Sequence, residues 1–163
     1  MTIYILDSGI NLKHKLLDGK ARSFHKDGLS KYARNEVAND EYHGHGTGMA
    51  SLAHSVAPQA ILMNVKVLGR GFTDESAAHA AQMLGDAIND VIDDHIRNRN
   101  DLKSAWRGSV INMPFGFKEN KSRDEEGKKL FERNRRYLED AFRRAAKEGI
   151  RKCQSREIPA FPR

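Results

Sequence analysis

The 163-residue chain contains a single cysteine, Cys153, and no long run of apolar residues. One cysteine excludes an internal disulfide and a cysteine-based zinc cage. The apolar runs fall short of the ~18 residues that a membrane helix needs, which excludes a transmembrane role. The N-terminus has neither a basic leader nor a small-residue cleavage site, so the sequence predicts no secretory signal. By default these absences predict a cytoplasmic protein that does not act at a membrane.

The composition, 39% apolar and 31% charged, is typical of a globular protein with a charged surface. The length suits one domain with a real core. The net charge is +6, and residues 102–163 hold most of the excess positive charge. One hypothesis is therefore a basic α/β domain that binds nucleic acid. Acidic residues alternate with the basic ones at helical spacing, and aromatic residues are not interleaved, so a solvated helix face is favoured.

Apolar patterning predicts three strands that alternate with three helices. Each crossover contains a helix, so the strands should be parallel, with helices on both faces of the sheet. The fold class is therefore α/β, with three layers in the order helix, sheet, helix. The strands are predicted near 2–7, 60–67 and 109–113, with a minor strand at 21–24. The helices are predicted over 45–56, 73–96 and 124–148, and the first of them should be buried. A polar surface loop is predicted at 26–40 and a polar linker at 97–107.

Polar groups follow the predicted strands at their carboxyl ends, where such sheets place their functional groups. Asp7 ends the first strand, the turn 114–116 follows the third, and His45 opens the first helix. Taken alone, an aspartate in this place is equally typical of a turn cap. The pair of His43 and His45 lacks the three or four ligands of a zinc site. The glycines around it do not have the spacing of a phosphate-binding loop.

Four blocks of sequence, in order and at sensible gaps, give a more specific indication. Together they resemble the subtilisin-like serine proteases, or subtilases, over roughly residues 2–150. Residues 2–11 resemble the segment around the family's catalytic aspartate, and 45–51 the segment around its catalytic histidine. Residues 56–68 are similar to the family's next strand, and 110–116 to the strand and turn that line its substrate cleft.

The resemblance implies a subtilisin-like endopeptidase that hydrolyses peptide bonds through an Asp-His-Ser triad and needs no cofactor or metal. Asp7 would be the orienting carboxylate and His45 the general base, whereas His43 would be only a neighbour. Pro114, Phe115 and Gly116 would offer backbone edges to a peptide or protein substrate in an extended conformation.

The chain also departs from the family's pattern. The block Gly-Thr-Ser-Met-Ala-x-Pro that carries the nucleophile is missing, and Gly48 stands where a superficially similar segment would need serine. The strand that bears the oxyanion asparagine is replaced by the polar, proline-containing residues 150–159. We therefore expect a C-terminally incomplete, inactive peptidase domain over 1–150 and an atypical polar tail over 151–163. A non-catalytic peptide-binding or interaction module derived from a protease is the alternative.

The tail leads to a further expectation about the sheet. Two adjacent charges, Arg151 and Lys152, cannot be buried unpaired at acceptable cost, and Pro159 cannot donate to a sheet ladder. The tail should lie at the surface or be disordered. One edge or face of the sheet would then be uncovered, which would favour self-association.

Overall fold

The fold is seen in a computed structural model, which describes residues 1–33, 36–40, 44–69, 77–101, 106–115 and 125–154. Within these ranges the strands β1–β7 are, in chain order, Thr2–Asp7, Ala21–Ser23, Leu29–Ser30, Glu36–Val37, Ile61–Lys66, Ser109–Met113 and Arg151–Gln154. The helices α1–α3 are His45–Val56, Ala77–Asn100 and Glu125–Lys147, and a 3-10 turn occupies Lys31–Ala33. None of the helices in these ranges is both long and apolar enough to cross a membrane.

The main sheet has the strand order β2-β5-β1-β6-β7, and every neighbouring pair is parallel. The predicted α/β class with a parallel sheet is thereby confirmed. The predicted three strands form its centre, and β2 and β7 extend it at the two sides. β1 is the central strand, and all six of its residues are buried. A separate two-stranded antiparallel ribbon pairs β3 with β4.

The two faces of the sheet carry separate apolar clusters, as strand alternation requires. Tyr4 and Leu6 of β1 pack with residues of α2 and α3, whereas Ile3 and Ile5 pack on the side of α1. The helical stripe predicted for α2 is buried at Ala81, Leu84, Ile88, Val91, Ile92 and His95. Helices therefore cover both faces, α1 on one side and α2 with α3 on the other.

The environment of α1 differs from the prediction of a buried helix. Only Gly46 and Ala50 are buried, whereas Leu52 is 60% and Val56 is 86% exposed. The reason is that α1 contacts the sheet through a narrow stripe of small residues. Its opposite side therefore remains open to solvent in the part of the chain that the structure describes.

The C-terminal segment is a second correction. The predicted absence of a strand after α3 is wrong for Arg151–Gln154, which pairs with β6 as the parallel strand β7. Arg151, Lys152 and Cys153 stay exposed, because an outer strand does not need burial on both faces. The Lys152 ammonium lies 4.4 Å from the ring centroid of Phe142, and although the residue as a whole is exposed, partial desolvation of its ammonium lowers its pKa. Residues 155–163 of the predicted tail lie outside the described residues.

The connecting segments give smaller corrections. The segment 26–40, predicted as a surface loop, contributes the β3–β4 ribbon and buries Ser30, Tyr32, Ala33, Ala38 and Asp40. It is held inward because the Ser30 hydroxyl donates to the carbonyl of Lys66 and the Tyr32 hydroxyl to Asp90. The predicted linker begins later than expected, since α2 extends to Asn100. The predicted start of that helix near Thr73 lies outside the described residues.

We expect two Leu→Ala changes in helices to separate the covered face from the open one. Leu84 is 2% exposed, so Leu84→Ala should lower the free energy of unfolding by about 2–5 kcal/mol. Leu52→Ala on the open side of α1 should cost less than about 0.5 kcal/mol. Urea unfolding at several protein concentrations measures both. Equal costs, or a cost at Leu52 that grows with concentration, would show that the open side of α1 is covered, as self-association predicts.

Candidate active site

Asp7, the last residue of β1, places a fully buried carboxylate at the carboxyl end of the central strand. Its backbone carbonyl accepts hydrogen bonds from the amides of Val67 at 2.8 Å and Leu68 at 3.1 Å. Its Oδ1 accepts the amide of Ser8 at 2.7 Å. These contacts come from residues that directly follow β1 and β5. They fix the main chain of Asp7 and hold its carboxylate on the side of the sheet that faces α1.

His45, the first residue of α1, lies against that carboxylate. Its Nδ1 is 2.8 Å from Oδ1 and 2.9 Å from Oδ2 of Asp7. Because an ionised carboxylate only accepts, Nδ1 carries the proton and donates it. In the neutral ring Nε2 is then the nitrogen that can accept a hydrogen bond, and the side chain is 51% exposed. The structure thus places the two predicted residues in direct contact.

Two glycines allow this contact, because backbone packs on backbone around them. A Cβ at Gly46 would lie 2.1 Å from the carbonyl oxygen of Gly9 and 3.1 Å from Cβ of Asp7. Gly9 has φ of 110°, and a Cβ there would lie 2.5 Å from the carbonyl oxygen of Ala38. A side chain at Gly46 would therefore push the first turn of α1 away from the end of β1, and one at Gly9 would displace the segment 38–40.

Asp40 belongs to the site although the sequence did not single it out. Its carboxylate, 7% exposed, accepts the amides of Gly44 and Thr47 at the start of α1. The local sequence hides this role, because the N-cap position is held by Gly44, which has no side chain to cap with. Asp40 stands four residues before that glycine, in a segment that reads as a polar loop.

The predicted substrate-binding residues lie at the same edge of the sheet. Pro114 and Phe115 directly follow β6, the neighbour of β1, and both are half-buried. The Phe115 side chain packs against the apolar cluster on the side of α2 and α3. Only its main chain is therefore suited to contact a ligand near His45. Gly116 lies outside the described residues, as does His43.

A buried ion pair and a buried histidine lie beside Asp7. Lys66, its register partner in β5, has its Nζ 3.3 Å from Oε2 of Glu36. The Lys66 amide donates to Nε2 of His25 at 3.1 Å. Burial, with the charges of Lys31 and Lys66, lowers the pKa of His25 from 6.5 to about 4. His25 is thus a neutral acceptor that ends the ladder of β5.

The described part of the site offers no group of side chains that could hold a metal ion. Among the residues described, no three His, Cys, Asp or Glu side chains group as they would around a metal ion. The acceptors nearest to His45 are the carboxylate oxygens of Asp7, which its Nδ1 engages.

Comparisons with known proteins address the whole arrangement. A sequence model of the subtilase family matches residues 1–146, which include Asp7, His45 and the turn after β6. The chain belongs to the subtilase family. A subtilisin-like protease of Coccidioides posadasii (strain C735) is 37% identical to this subtilase over 73 residues, which are 42% of the chain and 16% of the relative. No solved structure matches.

The predicted family is therefore confirmed, and the subtilase chain corresponds to a small part of that relative's length. Hydrolase and protease are the activities of this family. The roles of Asp7, His45 and the turn 114–116 remain predictions, which the geometry above makes specific enough to test.

The contact between Gly46 and Gly9 predicts opposite effects for two Gly→Ala changes in α1. Gly46→Ala should lower the free energy of unfolding by about 1–3 kcal/mol, because its Cβ meets backbone. Gly48→Ala should raise it by up to about 1 kcal/mol, since no atom lies within 4 Å of a Cβ there and alanine favours helix. Chemical unfolding measures both. A neutral Gly46→Ala would contradict the close approach described for the site.

The neutral His25 predicts a pH dependence of stability. Above pH 6.5 the ring is neutral in both the folded and the unfolded chain. As the pH falls from 6.5 towards 4, the unfolded chain binds a proton that the folded one refuses, so the free energy of unfolding decreases by about 1–3 kcal/mol. His25→Asn should remove this part of the loss. The measurement is urea unfolding between pH 7.5 and 4.5, and equal slopes for both chains would contradict it.

Proposed function

We propose that this subtilase chain carries the aspartate and histidine of a serine endopeptidase triad, with Asp7 as the orienting carboxylate and His45 as the general base. The observation that carries the proposal is the 2.8 Å contact between Nδ1 of His45 and the buried carboxylate of Asp7. It selects the tautomer whose Nε2 can accept a proton. The half-exposed ring leaves that nitrogen reachable by a hydroxyl.

The proposed chemistry is peptide-bond hydrolysis by acyl transfer. Nε2 of His45 takes the proton of an attacking serine hydroxyl and later gives it to the leaving amine. Asp7 stays ionised and stabilises the imidazolium between these steps. Its two oxygens are both within 3 Å of Nδ1, so the ring keeps its orientation while its charge changes.

The nucleophile is proposed to come from outside these 163 residues, because the sequence lacks the family's serine block. Near the pair, the Ser8 hydroxyl accepts the amide of Gly46, and the Ser51 hydroxyl donates to the carbonyl of Thr47. Both hydroxyls serve the first turns of α1. Removing the nucleophile from such a triad costs about six orders of magnitude in turnover. The 163-residue chain by itself should therefore not hydrolyse peptides.

The proposed substrate is an extended segment of a peptide or protein. Pro114, Phe115 and Gly116 follow β6. This strand is parallel to its neighbour β1, so the carboxyl ends of both strands lie on the same side of the sheet. Because the Phe115 side chain is engaged in the core, recognition would use main-chain hydrogen bonds. Such bonds hold many sequences in one extended conformation.

Alkylation of His45 by a peptidyl chloromethyl ketone tests the proposal without needing the serine. The peptide part should align along the turn after β6, and Nε2 of His45 should displace chloride from the chloromethyl carbon. We expect His45 to react at least about tenfold faster than N-acetylhistidine. Asp7→Asn should abolish the excess, because an amide can select the wrong tautomer. Peptide mass spectrometry locates the alkylated nitrogen.

Two controls complete this test. Asp18→Asn changes the same charge at an exposed position and should leave the rate unchanged. A fluorophosphonate should label no serine of the chain. If His45 reacted no faster than N-acetylhistidine, the catalytic proposal would fail and the non-catalytic binding module would be favoured. Labelling of a serine would show that the chain contains its own nucleophile.

A further inference from the structure

The buried carboxylate of Asp40 joins the two segments that carry the candidate catalytic pair. Its Oδ2 accepts the amide of Thr47 at 3.2 Å and the Thr47 hydroxyl at 2.9 Å. Its Oδ1 accepts the amide of Gly44 at 3.1 Å and the Ser8 hydroxyl at 3.4 Å. Gly44 directly precedes His45, and Ser8 directly follows Asp7. One side chain thus holds a neighbour of each member of the pair.

The contacts at the helix start replace a cap that the sequence lacks. Gly44 occupies the N-cap position with φ of 66° and has no side chain to accept the first free amides. Asp40 accepts two of these donors, and its negative charge suits the positive end of the helix. The first residue of that helix is His45. The orientation of the imidazole therefore depends on how this turn is held.

A second connection ties the same turn to the loop after β1. The Thr47 hydroxyl donates to Asp40 and accepts the amide of Asn11 at 2.9 Å. The Ser8 hydroxyl accepts the amide of Gly46 at 3.2 Å and donates to Asp40. Each hydroxyl thus accepts one hydrogen bond from a backbone amide and donates one to the Asp40 carboxylate.

We propose that Asp40 is a positioning residue for the Asp7–His45 pair. It fixes the first turn of α1 relative to the end of β1 and thereby sets the distance between Nδ1 of His45 and the Asp7 carboxylate. Its importance for catalysis rests on the function proposed above. Its effect on the geometry of the pair does not depend on that function.

The test compares Asp40→Asn with Asp18→Asn in the full 163-residue chain. Asp40→Asn replaces one of the two acceptor oxygens by an NH₂ donor, so residue 40 can no longer accept from Thr47 and from Gly44 and Ser8 at the same time. The first readout is the proton NMR signal of the His45 Nδ1–H bound to Asp7, which we expect to disappear or move upfield. The second is amide exchange at Thr47, which we expect to become about tenfold faster. Asp18→Asn should match the native chain in both.

A second pair of variants covers the case in which Asp40→Asn does not fold. Thr47→Ser keeps the hydroxyl and should retain the His45 signal, whereas Thr47→Val removes it and should weaken or lose the signal. A role in stability alone would lower the free energy of unfolding but leave the signal of the folded chain in place. That result, in folded Asp40→Asn or in Thr47→Val, overturns the proposal.

The alkylation rate separates this inference from the proposed function. If the native chain shows the Nδ1–H signal and Asp40→Asn loses it, Asp40 positions the pair whether or not His45 is alkylated. If His45 of the native chain is not alkylated, only the catalytic proposal fails. A folded Asp40→Asn chain that keeps the signal contradicts the positioning role, whatever its alkylation rate.

Discussion

At the carboxyl end of β1, the backbone of Gly9 lies between the backbones of Ala38 and Gly46 with no side chain in between. Three segments that are distant in sequence meet there at van der Waals distance. Every contact of the candidate site follows from this approach, including the imidazole on the carboxylate and the Asp40 bridge. The constraint is steric and local. It therefore explains how a helix with few buried residues still holds a histidine accurately.

The carboxylates on the two faces of the sheet have different hydrogen-bond partners. On the side of α1, buried Asp7 contacts the backbone amide of Ser8 and Nδ1 of His45. On the side of α2, the hydroxyl of Tyr4 donates to Asp94, and burial and that carboxylate raise the pKa of the phenol. A phenol in such a place keeps its proton. The carboxylate of Asp7 thus contacts an imidazole, whereas that of Asp94 contacts a phenol.

The sequence predicted those parts of the fold that depend on period and on strand ends. The strand Ser109–Met113 follows from an apolar run, whereas the pairing of Asp7 with His45 was implied by the resemblance to the subtilases. The strand Arg151–Gln154 was missed because its charges argue against burial, and an outer strand escapes that argument. Asp40 was missed because its role depends on a turn between distant segments. A cap that is not adjacent to its helix leaves no local pattern.

The central position of β1 has a consequence for synthesis and folding. β1 leaves the ribosome before both of its neighbours, which are Ile61–Lys66 and Ser109–Met113. Its six buried residues therefore remain unpaired until more than a third of the chain has been synthesised after them. Pairings so distant in sequence slow folding and leave an apolar strand open to other chains meanwhile. During translation, chaperone binding to the unpaired strand β1 would protect it.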